Sequence, residues 1–286
     1  MKKKKYPDFI GLGTRRCSSS WLHRLLNTHP DIGKPPNGLH YFSNNKNKGE
    51  DWYINQLKEY SDFKYILEFS VSYLYPEYSD KAAKGIFEDA PDAKLFACIR
   101  HPVDRAFSDY LRSIRVGEIK KDINFLNAIK LKPEFFNRGR YANLLKPYYK
   151  YFHKEKIKIL FHEDAANNPI NFVNDLATFL GIPNSFNEEL VISIKSTQKT
   201  IKSDLLNKIM LNSKKTIDNI FNLINSKNYW NNLKSKNLKY WWYFLETNYK
   251  KIELDKSIKK KLTKEFTEDI NFIENITNRN LDHWYE

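Results

Sequence analysis

Two cysteines in 286 residues, Cys17 and Cys98, are too few for a disulfide framework and point to a reducing compartment. No apolar run approaches the length that crosses a bilayer. Lys2 to Lys5 precede Tyr6-Pro7-Asp8 without the apolar stretch of a secretory signal, so a soluble, cytoplasmic protein is expected. Also missing is the glycine-rich loop ending in Lys-Ser or Lys-Thr that marks nucleotide triphosphatases. Metal-ligand spacing is absent too, and no metal is expected. Acids are outnumbered, 34 Asp and Glu against 48 Lys and Arg, for a formal net charge of +14. Such a surface attracts polyanions, but charge alone does not choose among nucleic acid, acidic polysaccharide, anionic membrane and a single nucleotide. Abundant Lys, Asn and Ile, which a genomic nucleotide bias also produces, weaken the clue.

Hydrophobic residues at 41% and aromatics at 15% are those of a folded globule. One α/β domain is expected over 1–286, with a core at 6–190 and a lysine-rich helical extension, 191–286, packed on it. The chain is organised around residues 9–32. Phe9-Ile10-Gly11-Leu12-Gly13 reads as a buried strand, and Trp21, Leu22, Leu25 and Leu26 recur at helical spacing. Between them lies Thr14-Arg15-Arg16-Cys17-Ser18-Ser19-Ser20. A strand entering a helix through such a loop presents unpaired amides beside hydroxyls and a guanidinium, a receptor for a phosphate. The plainer alternative is a βα turn with serine as N-cap.

Further on, Leu39-His40-Tyr41-Phe42 has strand-like residues, and Trp52, Tyr53, Leu57 and Tyr60 suggest a helix. Tyr65 to Phe69 reads as a strand delivering Ser70, Ser72 and Tyr73 at its C-terminal end, where doubly wound sheets hold ligands. Lys94 to Ile99 is a second buried strand, ended by Arg100-His101-Pro102. Val103, Phe107, Tyr110, Leu111 and Ile114 then mark one helix face, with Ser108 on another. Arg100 is either a surface arginine paired with Asp104 or Asp109, or a bidentate partner for a phosphate beside the Ser108 hydroxyl. A helix follows Gly139-Arg140-Tyr141, then a strand at Ile157–Phe161 running into His162-Glu163-Asp164. Those two acids read as loop caps. A helix from Asn171 to Leu180 is stopped by Gly181 and Pro183. From Val191 to Lys251 twelve lysines face three acids, most simply a solvated face. The cluster Tyr240-Trp241-Trp242-Tyr243-Phe244 reads as core before lid or partner surface. Ile258, Leu262, Phe266, Ile270 and Ile273 mark a final amphipathic helix, ending in Leu281-Asp282-His283-Trp284.

Arg16-Cys17-Ser18-Ser19-Ser20, with Leu22, Leu26, His29 and Pro30, resembles the 5′-phosphosulfate loop and first helix of the sulfotransferases that use 3′-phosphoadenosine 5′-phosphosulfate (PAPS). The family form is Lys/Arg-x-Gly-Thr-Thr, so Ser18 stands in place of glycine. Residues Leu95 to Tyr110 resemble the family's 3′-phosphate motif, with Arg100, Pro102, Arg105, Ser108 and Tyr110 in register. The resemblance spans nearly the whole chain. It implies a P-loop-NTPase-like fold, a central parallel sheet flanked by helices with a helical C-terminal region. It further implies PAPS as donor and adenosine 3′,5′-bisphosphate as product. Arg15, Arg16, Cys17, Ser18, Ser19, Ser20, Trp21, Arg100, Ser108, Tyr141 and Lys199 become the expected nucleotide-binding residues. Arg16 is the group that neutralises the departing 5′-phosphate. Lys195, Lys199 and Lys202 lie where relatives close a loop over the nucleotide.

Polysaccharide-type members place a glutamate base where this chain has Gly38, in Asn37-Gly38-Leu39-His40-Tyr41-Phe42. His40 is the nearest substitute and Glu68 the other candidate; the plainer roles are a core imidazole and a positioning carboxylate. The expected reaction is sulfuryl transfer to a hydroxyl or amine of a small-molecule or glycan acceptor, the polysaccharide-like motif favouring a glycan or other carbohydrate over a lipid, a phenol or a peptide tyrosine, with no specific nucleic-acid partner. The alternative is an inactive nucleotide-fold protein that binds polyanions.

Overall fold

The computed structural model describes residues 6–33, 35, 38–186, 189, 191, 199–201, 249–251 and 253–286. Packing divides the chain into two units, one of Met1–Ala106, Pro133–Lys195 and Lys256–Glu286, the other of Phe107–Lys132 and Ser196–Asp255. The expected extension, 191–286, is therefore shared between them.

In chain order the elements of the first half are β1 (Phe9–Gly13), α1 (Ser19–Leu26), β2 (Ile32–Gly33), α2 (Glu50–Leu57), β3 (Tyr65–Phe69), α3 (Ser79–Asp89), β4 (Lys94–Ile99) and α4 (Pro102–Arg115). There follow α5 (Phe125–Leu131), α6 (Glu134–Asn137), α7 (Tyr141–Tyr151), β5 (Ile157–Phe161), α8 (His162–Asn167) and α9 (Pro169–Leu180). The chain continues through β6 (Lys199–Ile201), β7 (Tyr249–Lys251), α10 (Lys256–Thr263) and α11 (Thr267–Thr277).

In the first unit five strands form one sheet in the order β2-β3-β1-β4-β5, and every pairing is parallel. Phe9 is in register with Leu67 on one side and Lys94 on the other. Parallel sheets are covered on both faces, which is why β1, β3 and β4 read as near-continuous apolar runs. Trp21, Leu22, Leu25 and Leu26 of α1 pack with Phe172, Val173, Leu176 and Leu180 of α9 and with Phe9, Phe69, Phe96, Cys98 and Leu160 of the strands. Buried His29, just past α1, reaches the Pro183 carbonyl through Nε2 at 2.9 Å and receives the Asp31 amide on Nδ1. The expected C-terminal helix is two, α10 and α11; Ile270 and Ile273 of α11 are buried, as are Phe266 between the helices and Leu281 and Trp284 beyond them.

The strand order positions the site. From β1 the chain moves to one side, to β2 and β3, and then crosses to β4 and β5 on the other, so a crevice opens at the carboxyl ends of β1 and β4.

The segment Leu39–Phe42 is not a strand. His40 turns left-handed, at φ 50°, and its carbonyl accepts from the amides of Ser43, Asn44 and Asn45, winding Tyr41–Asn45 into a wide helical turn. In the second unit Tyr110 donates to the Ile123 carbonyl at 2.8 Å, Phe107 and Tyr110 pack on Phe125, and β6 pairs antiparallel with β7. Lys195, Lys202 and the cluster at 240–244 lie outside the described residues, and Lys199 is described by its backbone alone.

Candidate functional site

Local chemistry at the end of β1 sets the loop. The Thr14 amide donates to the Cys98 carbonyl of β4 at 3.0 Å, and its hydroxyl lies between that carbonyl, at 2.9 Å, and Cys17 Sγ, at 2.7 Å. These contacts tie the loop to the neighbouring strand and bury Cys17 in the core. Trp21 is buried as well, against Phe172. Of the expected nucleotide ligands, Cys17 and Trp21 thus offer only main-chain groups.

Ser18 precedes α1 but does not cap it. Its backbone is left-handed, φ 57° and ψ 11°, and its side chain makes no capping bond. The hydroxyl pairs instead with His162 Nδ1 at 2.6 Å, 144 residues away at the end of β5. The first helical bond runs from Leu22 N to Ser18 O at 2.9 Å, so the amides of Ser19 and Ser20 have no acceptor within the helix. No acid lies in the first turn of α1. The helix start therefore presents donors and the positive end of its dipole to the crevice.

Arg100 ends β4 with 8% of its surface exposed. Tyr141, at the start of α7, spends its hydroxyl on the Arg100 carbonyl at 2.7 Å, fixing the main chain there. Asp104, one of the acids considered as an Arg100 partner, is held by Lys259 at 3.2 Å. Among the described residues the Arg100 guanidinium has no hydrogen-bond or ion-pair partner. A nearly buried cation with no directly bonded partner is costly unless an anion completes it. Arg105 is fully buried and donates to the Phe135 carbonyl. Ser108, on α4, is also fully buried, because that helix is covered on nearly every side rather than along one stripe.

His162 reports on the field between these groups. Burial, and after it the charges of Arg100 and then Arg16, bring its pKa down to about 4, with Asp104 opposing. Both arginines therefore act on one imidazole, which is neutral at pH 7. Glu163 accepts from the His101 amide at 3.1 Å and Asp164 pairs with Arg279, so neither acid is a simple loop cap. Burial, opposed by that amide bond and by Arg100, holds the Glu163 carboxyl above its usual range.

The two candidate bases differ in access. Glu68 is 1% exposed and receives three hydroxyls: Tyr53 at 2.6 Å, Ser70 at 2.7 Å, and Tyr73. Burial raises its pKa and those three donors pull it back. His40 is half-buried, and its amide donates to Ser70 Oγ at 2.9 Å. Its Nδ1 lies 2.6 Å from Ser72 Oγ, which is 2.6 Å from Ser43 Oγ; Ser43 donates to the His40 carbonyl at 3.2 Å. With the Ser43 proton so placed, Ser72 donates to Ser43 and accepts from His40 Nδ1–H, leaving the lone pair on Nε2. Burial lowers the His40 pKa, which keeps this ring neutral.

Four described non-glycine residues have φ in the left-handed region: Arg16, Ser18, His40 and Asn278. Asn278 ends a helix, where asparagine is at home. The other three lie in the loop that follows β1 and beside Ser70, which follows β3, a clustering expected of functional sites.

A family model described as "Sulfotransferase domain" matches residues 6–270. The chain belongs to the sulfotransferase family. Heparan sulfate glucosamine 3-O-sulfotransferase 5 of Mus musculus is 25% identical over 190 residues, covering 62% of this chain and 54% of that protein. Human heparan sulfate glucosamine 3-O-sulfotransferase 6 is 24% identical over 189 residues, covering 63% and 54%. The chain spans about half the length of these curated relatives. A crystal structure of a sulfotransferase from Alicyclobacillus acidocaldarius shares the fold, with a TM-score of 0.68 at 22% identity, over 99% of this chain and 100% of that one.

Several residues of this candidate site had no sequence signal of their own. Thr14 and His162 act through partners more than 80 residues away. Ser43 and Ser72 meet only because the chain reverses at His40. Among the described residues no helix is long and apolar enough to cross a membrane.

Proposed function

We propose that this sulfotransferase moves a sulfuryl group from PAPS to a hydroxyl or amine, with a glycan as acceptor class. The observation that carries the reading is the partnerless, nearly buried Arg100 guanidinium at the end of β4 beside an uncapped helix start at the end of β1. This donor set suits a nucleotide with phosphates at two positions. Arg16 and the Ser19 and Ser20 amides hold the 5′ end and stabilise charge developing on the leaving phosphate. Arg100 holds the 3′-phosphate. Tyr141 acts by fixing Arg100.

Bound PAPS supplies the sulfuryl group, whose bond to the 5′-phosphate oxygen breaks as a bond to the acceptor forms. His40 Nε2 takes the acceptor proton, and Ser72 keeps the ring in the basic tautomer. Glu68 serves as the anchor for Tyr53, Ser70 and Tyr73. The glycan class is supported by the names of the curated relatives and by the +14 charge. Free, buried Cys17 and Cys98 suit the cytoplasm.

Incubation with sulfur-labelled PAPS and a panel of glucosamine oligosaccharides, phenols and a tyrosine peptide tests the proposal. Label is expected in the oligosaccharides. Transfer to none of them, with salt-sensitive heparin binding, favours the polyanion-binding alternative.

A further inference from the structure

Ser18 departs from ordinary N-cap behaviour in two ways at once. A capping serine has extended backbone angles and accepts an amide of the first turn with its oxygen. Ser18 instead has φ 57°, a region that glycine enters freely and a residue with a β-carbon does not, and it leaves the first turn uncapped. One bond accounts for both departures: the 2.6 Å contact between Ser18 Oγ and His162 Nδ1.

The contact spans the sheet. His162 follows β5, Ser18 follows β1, and β4 lies between those strands, so the imidazole extends past the end of β4, where Arg100 begins. The charged groups acting on the ring are Arg100, Asp104 and Arg16. Burial and the two guanidiniums, against the opposing charge of Asp104, keep it uncharged at neutral pH.

We infer that His162 is a positioning residue which lets serine do the work of glycine in the anion-binding loop. By holding the Ser18 hydroxyl it stabilises the left-handed turn and draws that hydroxyl away from α1, leaving the Ser19 and Ser20 amides to the ligand. This inference rests on the reading of the loop as the 5′-phosphate site.

Its test is a double-mutant cycle of Ser18→Gly and His162→Ala, read by calorimetric binding of adenosine 3′,5′-bisphosphate, with His162→Asn as the conservative variant. His162→Ala in the parent is expected to weaken binding about five- to tenfold, the range of one lost hydrogen bond. His162→Asn, whose amide falls near the Nδ1 position, recovers most of it. In the Ser18→Gly background His162→Ala adds no further loss. Equal losses in both backgrounds, with the melting temperature lowered equally, overturn the inference and leave His162 a packing residue. If the parent itself binds no bisphosphate at saturating concentration, the nucleotide reading fails and the inference falls with it.

Discussion

Gly38 and His40 compete for one space: a β-carbon built on Gly38 lies 2.5 Å from His40 Nε2, and Gly38 itself has φ 78°. The position that carries a glutamate base in the polysaccharide-type relatives cannot accept a side chain here while the imidazole stays in place. Glycine at 38 and histidine at 40 are thus two parts of one arrangement, and the proposed mechanism gives the proton to the nitrogen that occupies this space.

His40→Ala should therefore lower kcat by about 10²–10⁴-fold, the usual range for a lost general base, while the affinity for adenosine 3′,5′-bisphosphate stays unchanged. Gly38→Ala should lower kcat in the same direction by displacing Nε2. Because burial lowers the His40 pKa from 6.5, the acid limb of the kcat/KM profile should have its midpoint below 6.5 and vanish in His40→Ala. Steady-state kinetics against pH checks all three.

Arg100→Ala should weaken bisphosphate binding roughly 10- to 100-fold, as expected for a lost hydrogen bond to a charged group. Tyr141→Phe should cost less, about 1 kcal/mol, because it frees the Arg100 main chain without removing the charge. Calorimetric titration separates the two.

Glu68→Gln leaves three buried hydroxyls with a poorer acceptor, and should lower stability by about 1–3 kcal/mol with little change in kcat. Denaturant unfolding and kinetics on the same variant decide the matter. A large fall in kcat at unchanged stability would make Glu68, not His40, the base.

His101 is buried, with Nε2 donating to the Trp284 carbonyl at 2.8 Å, and burial, first among several causes, brings its pKa down to about 4. The unfolded chain takes up this proton near 6.5, while the folded chain refuses it until about 4. Acid thus favours unfolding through that window. The stability of the parent, measured relative to His101→Gln, should fall as pH drops from 6.5 to 4 and hold steady above it.

The strands were legible because residues buried on both faces leave unbroken apolar runs such as Lys94–Ile99. The loop after β1 could be singled out as a candidate anion site because its amides, hydroxyls and arginines are local. What the sequence hid depends on backbone reversal or distance. Leu39–Phe42 looks extended by residue type, yet the left-handed His40 and three amides on its carbonyl coil the segment. Ser18 looks like an N-cap until its partner is seen at the end of β5. Nor does the sequence reveal that Glu68 accepts the hydroxyls of Tyr53, Ser70 and Tyr73, which depends on how the chain is folded around β3.

In the proposed function Arg16 and Arg100 grip opposite ends of one adenine nucleotide. Titration calorimetry with adenosine 3′,5′-bisphosphate, adenosine 5′-monophosphate and adenosine 3′-monophosphate, on the parent and on Arg16→Ala and Arg100→Ala, tests it most directly. The parent should bind the bisphosphate most tightly, losing that preference over the 5′-monophosphate in Arg100→Ala and over the 3′-monophosphate in Arg16→Ala. Equal affinity of the parent for all three nucleotides, or identical changes in the two variants, would contradict it.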